Sequence, residues 1–193
     1  FNLKLHVMKK LNYFFLFVLI GVLISGCSEI ETNQDLLNPG NDSELKKAKV
    51  PIPAKCWLTS VPDFSHGNVL CTPESFEVAV VAGGAMKGHE AHGGKLDTEK
   101  STWEVVRCDF DYEKMKITEY IEGKHTVMNG NYYLYEGVLS VSTVDGSIDG
   151  VVNAFGGVGK FEGGTAEVNI TGFLDFDTGI ATMKGEGYWN FSD

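Results

Sequence analysis

His89-Glu90-Ala91-His92 places two imidazoles and a carboxylate within four residues, the side-chain types that hold zinc or move protons. The second histidine falls one position short of the H-E-x-x-H pattern, which needs both rings on one helix face. On a strand, residues three apart face opposite sides, so the rings do not converge, and a backbone-bonded histidine at a strand end is the plainer reading. Tyr132, Tyr133, Tyr135 and Glu136 form a second group. On a strand Tyr133 and Tyr135 share one side and Glu136 takes the other. As interior residues, Tyr133, Tyr135 and Glu136 are candidate contacts for a small apolar ligand, with a carboxyl to protonate it. The alternative is that the tyrosines fill a core and Glu136 is solvated. Asp145, Asp149, Asp175 and Asp177 stand beside turns without the D-x-D-x-D-G order of a calcium loop. The glycine run Gly156–Gly164 lacks the G-K-[ST] ending of a phosphate loop, and no G-x-S-x-G elbow occurs. These residues call for no metal and no cofactor, and they name no catalytic group.

The cysteines divide into two sets. Cys27 follows a basic start at Met8-Lys9-Lys10, an apolar run from Tyr13 to Ile24 and the small pair Ser25-Gly26. That order is the three-part layout of a secretory signal, with Met8 the natural start, and the run is shorter than the ~20 residues that span a bilayer. A slim residue before a thiol resembles the cleavage site of bacterial lipoproteins, which implies diacylglycerol on Cys27 and attachment to a membrane through it. An ordinary signal peptide with a chance cysteine, or an uncleaved anchor, are the alternatives. Ser28 in second place gives no inner-membrane retention signal, and Glu29 and Glu31 resemble the surface-export tag of Bacteroidetes lipoproteins. The resemblance implies a bacterial cell envelope location, lipid-anchored at the outer membrane and facing either the periplasm or the surface. Cys56, Cys71 and Cys108 then lie where disulfides form. A bridge between Cys56 and Cys71, which flank a loop rich in Pro, Ser, Gly and Asn, is one expectation, and three free thiols the other.

The chain is acidic, with 16 basic and 26 acidic residues and a net charge of −10. Removing Lys4, Lys9 and Lys10 with residues 1–26 leaves 13 basic against 26 acidic residues, net −13. Such a surface repels nucleic acid. Residues 27–50 carry few large apolar side chains and read as a lipidated end and flexible linker; residues 51–193 are long enough for one domain with a core.

The elements of that domain are strands. Fourteen of the 23 glycines follow residue 122, which argues against long helices there. Ala166, Val168, Ile170, Gly172 and Leu174 alternate with Glu167, Asn169, Thr171, Phe173 and Asp175, a period of two. Asp177-Thr178-Gly179 turns, and Ala181 to Phe191 resumes the alternation. Similar runs at Pro53–Thr59, Ser75–Gly84, Lys87–Asp97, Thr102–Phe110, Met115–Ile121, Asn131–Ser142 and Ile148–Phe155 bring the total to eight or nine. Short strands with glycine turns point to a barrel or a sandwich.

Gly156-Gly157-Val158-Gly159-Lys160-Phe161-Glu162-Gly163-Gly164 resembles the G-G-T-G-R-F-x-G-A pattern of allene oxide cyclase-like and dirigent-like proteins. Ala91-His92-Gly93-Gly94-Lys95 is similar to a T-H-x-G-K segment of their bacterial relatives, and Met128-Asn129-Gly130-Asn131 to their A-N-G-D turn. Val158, Lys160 and Gly164 depart from the pattern. The resemblance, over about residues 75–191, implies an all-β fold: one antiparallel, closed, calycin-like β-barrel of about eight strands. None of the family's catalytic residues maps onto this chain. Two functions follow as expectations: a non-enzymatic envelope barrel that binds a small ligand or a partner, and an isomerase- or cyclase-like enzyme acting on an apolar substrate inside the barrel. A third, a purely structural interaction role, is favoured if an outer face carries a large apolar patch.

Overall fold

The computed structural model describes residues 50–73 and 77–191. The expected signal segment, Cys27 and the expected linker up to residue 49 lie outside the described residues, as does the start of the strand expected at Ser75.

Eleven strands are present among the described residues: β1 (Ile52–Pro62), β2 (Asn68–Leu70), β3 (Ala79–Val81), β4 (Gly83–Glu90), β5 (Gly94–Lys95), β6 (Thr102–Asp111), β7 (Lys116–Thr126), β8 (Tyr132–Ser142), β9 (Ser147–Val158), β10 (Gly164–Asp175) and β11 (Ile180–Phe191). Nine form one sheet in the order β1-β11-β10-β9-β8-β7-β6-β4-β5, and β2 pairs with β3 in a small ribbon. From β6 to β11 each strand pairs antiparallel with its sequence neighbour, as the hairpin turns require. Asp145 and Asp175 act there as turn formers. Asp145 accepts from the backbone N–H and the hydroxyl of Ser147, and Asp175 accepts from the N–H of Asp177.

Alternation sorts the side chains. Ala166 and Ile170 of β10, Ala181, Met183 and Trp189 of β11, and Tyr133, Tyr135, Leu139 and Val141 of β8 are buried on one side of the sheet. Their neighbours in sequence face outward. Burying an aliphatic or aromatic side chain of this size stabilises by about 1.5–3 kcal/mol, so this face dominates the fold energy. On β6 the phase breaks: the register shifts between Val105 and Arg107. Val105 and Cys108 are buried while Val106 is exposed, which is the signature of a bulge.

The closed eight-stranded barrel is not what forms. Hydrogen bonding is ring-like, because β1 pairs with both β11 and β4. The ring is thin at one seam, where β4 meets β6 through only three residue pairs, Gly83–Ala85 with Thr102–Glu104. Beyond Ala85 the end of β4 pairs with β5 instead, His89 with Lys95 and Glu90 with Gly94. The segment after β5 fills the space: Leu96 bridges Val127, and Ser101 Oγ donates to the Thr126 carbonyl at 3.1 Å. The His89–Lys95 turn diverts the chain from β6, so the sheet does not close as a barrel, and the calycin-like architecture implied by the glycine motifs does not hold. The strand expected over Ser75–Gly84 is likewise broken, with β3 and β4 belonging to different sheets.

The expected Cys56–Cys71 bridge is also corrected. Cys71 pairs with Cys108 across 37 residues, with Cα atoms 4.5 Å apart, and Cys56 is a free thiol. Cys56 is fixed inside β1, where it lies opposite Gly185. The Thr72–Asp109 bridge instead carries Cys71 to β6.

Candidate functional site

The buried polar groups gather inside the curled sheet. Glu90 ends β4, His125 is near the end of β7, and Tyr133 lies opposite it on β8. Glu90 and His125 are each 5% exposed. His125 Nδ1 is 2.9 Å from Glu90 Oε1 and 2.7 Å from Tyr133 Oη, and the Tyr133 hydroxyl donates to the same Glu90 oxygen. These contacts fix the proton. Tyr133 spends its hydrogen on Glu90, so its oxygen can only accept from His125. Nδ1 therefore carries the hydrogen, and Nε2 is left without a protein partner. Burial, with the Glu90 charge beside it, raises the Tyr133 phenol well above its ordinary value; the same causes raise Tyr135.

Glycine makes room for this cluster. A Cβ on Gly93 would strike Glu90 Oε2, and one on Gly123 would meet the Tyr135 ring. Lys160 holds the turn above, donating from Nζ to the carbonyls of His92 at 2.8 Å and Gly93 at 2.9 Å. Burial lowers the His92 pKa, and the charge of Lys160 adds to this while Glu90 opposes it. Phe161, next to Lys160, is fully buried and packs edge-on to Tyr133, with ring centroids 4.9 Å apart.

What remains empty is small. Cys56, Met86, Glu90, His92, His125 and Trp189 help line a cavity of about 50 Å³. Sites for small organic ligands measure about 300–1,000 Å³, whereas one water needs about 10–15 Å³ by this kind of measure. Cys56 is no nucleophile here: burial, with Glu90 adding to it, pushes its thiol up to about 12, against a lowering by the Gly185 backbone hydrogen bond. A carboxylate-oriented histidine is present, but neither substrate volume nor thiolate accompanies it. The interior ligand-binding and cyclase-like readings lose their basis.

The residues singled out in the sequence are dispersed. Tyr133 and Tyr135 are inside, and Glu136 is exposed on the outer face. The interior carboxylate is Glu90 instead. His89 is exposed, and His92 lies in the turn beside the cavity. Among the described residues no three His, Cys, Asp or Glu side chains are grouped to hold a metal.

A second carboxyl sits further along β7. Glu119 lies opposite Cys108 and Leu139, on the side shared by Ile117 and Ile121, and desolvation pushes it up to about 7. The folded chain therefore keeps this proton where the unfolded chain has lost it, so stability falls as pH rises between the ordinary glutamate value of 4.5 and about 7. Glu119→Gln is expected to raise stability by about 2–3 kcal/mol near pH ~8 and by almost nothing near pH ~4, measured by thermal unfolding at both.

Outside, the chain presents an open groove of about 410 Å³. Trp57 on β1 is 51% exposed and Phe173 on β10 is 52% exposed. Thr59, Thr171, Thr182 and Lys184 share its lining. Further round, Leu134 lies opposite Phe155 and Val138 opposite Val151, all four exposed. The sequence does not signal these residues as a group, because the next outward-facing positions along each strand are mostly polar, such as Lys55 and Thr59 beside Trp57; they meet only across strands.

Among the described residues no helix is long and apolar enough to cross a membrane. The chain matches no protein-family model, no curated protein and no solved structure.

Proposed function

We propose that this chain is a lipid-anchored protein of the bacterial cell envelope, held at the outer membrane through Cys27. Its folded domain is an interaction module that recognises its partner with the outer face of the sheet. The observation that carries this reading is the distribution of apolar surface. The inside is filled to a cavity of about 50 Å³, while Trp57, Phe173, Tyr188, Phe155 and Leu134 stand exposed outside. Exposed aromatic side chains beside an open groove are the usual marks of a binding surface. The Cys71–Cys108 disulfide supports an oxidising compartment, as expected beyond the inner membrane.

Each acyl methylene buried in a bilayer contributes about 0.8 kcal/mol, so two or three chains hold the protein on the membrane. Cys27→Ser is expected to move the protein from the membrane fraction to the soluble fraction, or to leave it as unprocessed precursor, read by fractionation and immunoblot. Unchanged membrane association with unchanged processing contradicts the anchor.

A further inference from the structure

We propose that the Trp57–Phe173 groove binds a polysaccharide segment bearing uronic-acid carboxylates; the inference rests on the outward-facing reading above and gives its partner a chemistry.

The register sets out the geometry. β11 runs between β1 and β10, so the groove crosses three strands in two adjacent rows. One row is Thr59, Thr182, Phe173; the next is Trp57, Lys184, Thr171. The two rings therefore stand at opposite corners of a patch floored by Thr182 and Lys184. Strands two apart are separated by about 9.6 Å and alternate residues by about 6.8 Å, so the corners are about 12 Å apart. That is the reach of a short stretch of polysaccharide rather than of one sugar. The C–H faces of pyranose rings stack on aromatic rings, and sugar hydroxyls pair with threonine hydroxyls, so this mixture of walls and floor suits a carbohydrate.

Lysine selects the acidic kind. The chain carries a net charge of −10, yet Lys184 forms no ion pair among the described residues. The acids nearest in the register are engaged elsewhere: Glu186 with Lys55 at 3.9 Å, and Asp149 with Lys116 at 3.5 Å. The groove is left with a net positive charge on an acidic surface. A uronic acid carries its carboxylate at the edge of the ring, and Lys184 lies directly opposite Trp57 on the next strand, so a ring stacked on Trp57 can turn that group toward the lysine. Nucleic acid, with a phosphate at every step, would extend its charge over the acidic surface beyond the groove, whereas a short uronate segment fits within it. A second copy docked symmetrically on this groove brings two Lys184 side chains together.

The test uses the full chain, solubilised in detergent from membranes, with oligogalacturonate as the acidic probe and its methyl ester as the neutral one. Calorimetry and Trp fluorescence read the affinity. Oligogalacturonate is expected to bind about tenfold more tightly than the ester, an advantage that shrinks as salt is raised. Lys184→Gln is expected to remove that advantage and leave ester binding unchanged. Trp57→Ala with Phe173→Ala is expected to weaken both by about tenfold or more, with the unfolding temperature retained because both side chains face outward. Equal affinity for acid and ester, no binding of either, or unaltered binding by the double variant overturns the proposal. The Cys27→Ser fractionation is independent of sugar, so loss of the ligand with the anchor retained sinks this inference alone.

Discussion

His125→Ala is expected to destabilise the domain by about 3–5 kcal/mol, more than any other single substitution proposed for this chain. The histidine is the shared partner of Glu90 and Tyr133, and all three are buried. Removing it leaves the Glu90 carboxylate with Tyr133 alone and opens a void against Tyr135, whose ring centroid lies 4.6 Å from that of the imidazole. An uncompensated buried charge and a new cavity both oppose folding. Denaturant unfolding checks the magnitude. Glu90→Gln isolates the charge, because the amide keeps the volume and can accept the same two hydrogen bonds; it is expected to cost less than His125→Ala. If His125→Ala unfolds within ~0.5 kcal/mol of the wild type, the cluster is not a structural element of the interior.

Opening the Cys71–Cys108 bridge is the second large effect. A cross-link over 37 residues restricts the unfolded chain by about 4 kcal/mol in the chain-entropy model, so Cys71→Ser with Cys108→Ser is expected to lower stability by about that amount. Both half-cystines are fully buried, so packing loss adds to the entropy. Cys56→Ser serves as the comparison, since that thiol has no disulfide to lose. Peptide mapping without reductant is expected to recover a Cys71–Cys108 pair and to find Cys56 alkylated only after unfolding. A Cys56–Cys71 peptide contradicts the pairing.

What the sequence made legible was periodic. Alternation along β10 and β11 assigned Ala166, Ile170, Ala181 and Met183 to one face, and Asp177-Thr178-Gly179 marked the turn between them. An antiparallel β-sheet could be read from such runs. Closure could not, because it depends on whether β4 stays beside β6 over its whole length. That is decided by a turn after Glu90 that diverts the strand to β5, and no repeat announces it. The Val105-Val106 doublet hides a bulge that only the Arg107 register reveals. Cysteine pairing also depends on contacts far apart in the chain, so the closer pair Cys56 and Cys71 misled while the 37-residue pair formed.

The site was harder to read than the fold. Glu136 follows the tyrosines in sequence, yet strand parity turns it outward. Glu90 stands in an incomplete zinc motif, yet it is the carboxylate that Tyr133 meets, from a strand 43 residues away. Trp57 and Phe173 face one groove only because β11 separates their strands.

Native mass spectrometry of the full chain, released in detergent from its host's membranes, tests most directly the claim that this is a tethered domain with a filled interior. The expected mass is that of the polypeptide from Cys27 onward plus acyl chains, with no further small molecule released on unfolding. An unmodified Cys27, or an organic molecule that stays bound until the fold is lost, contradicts it.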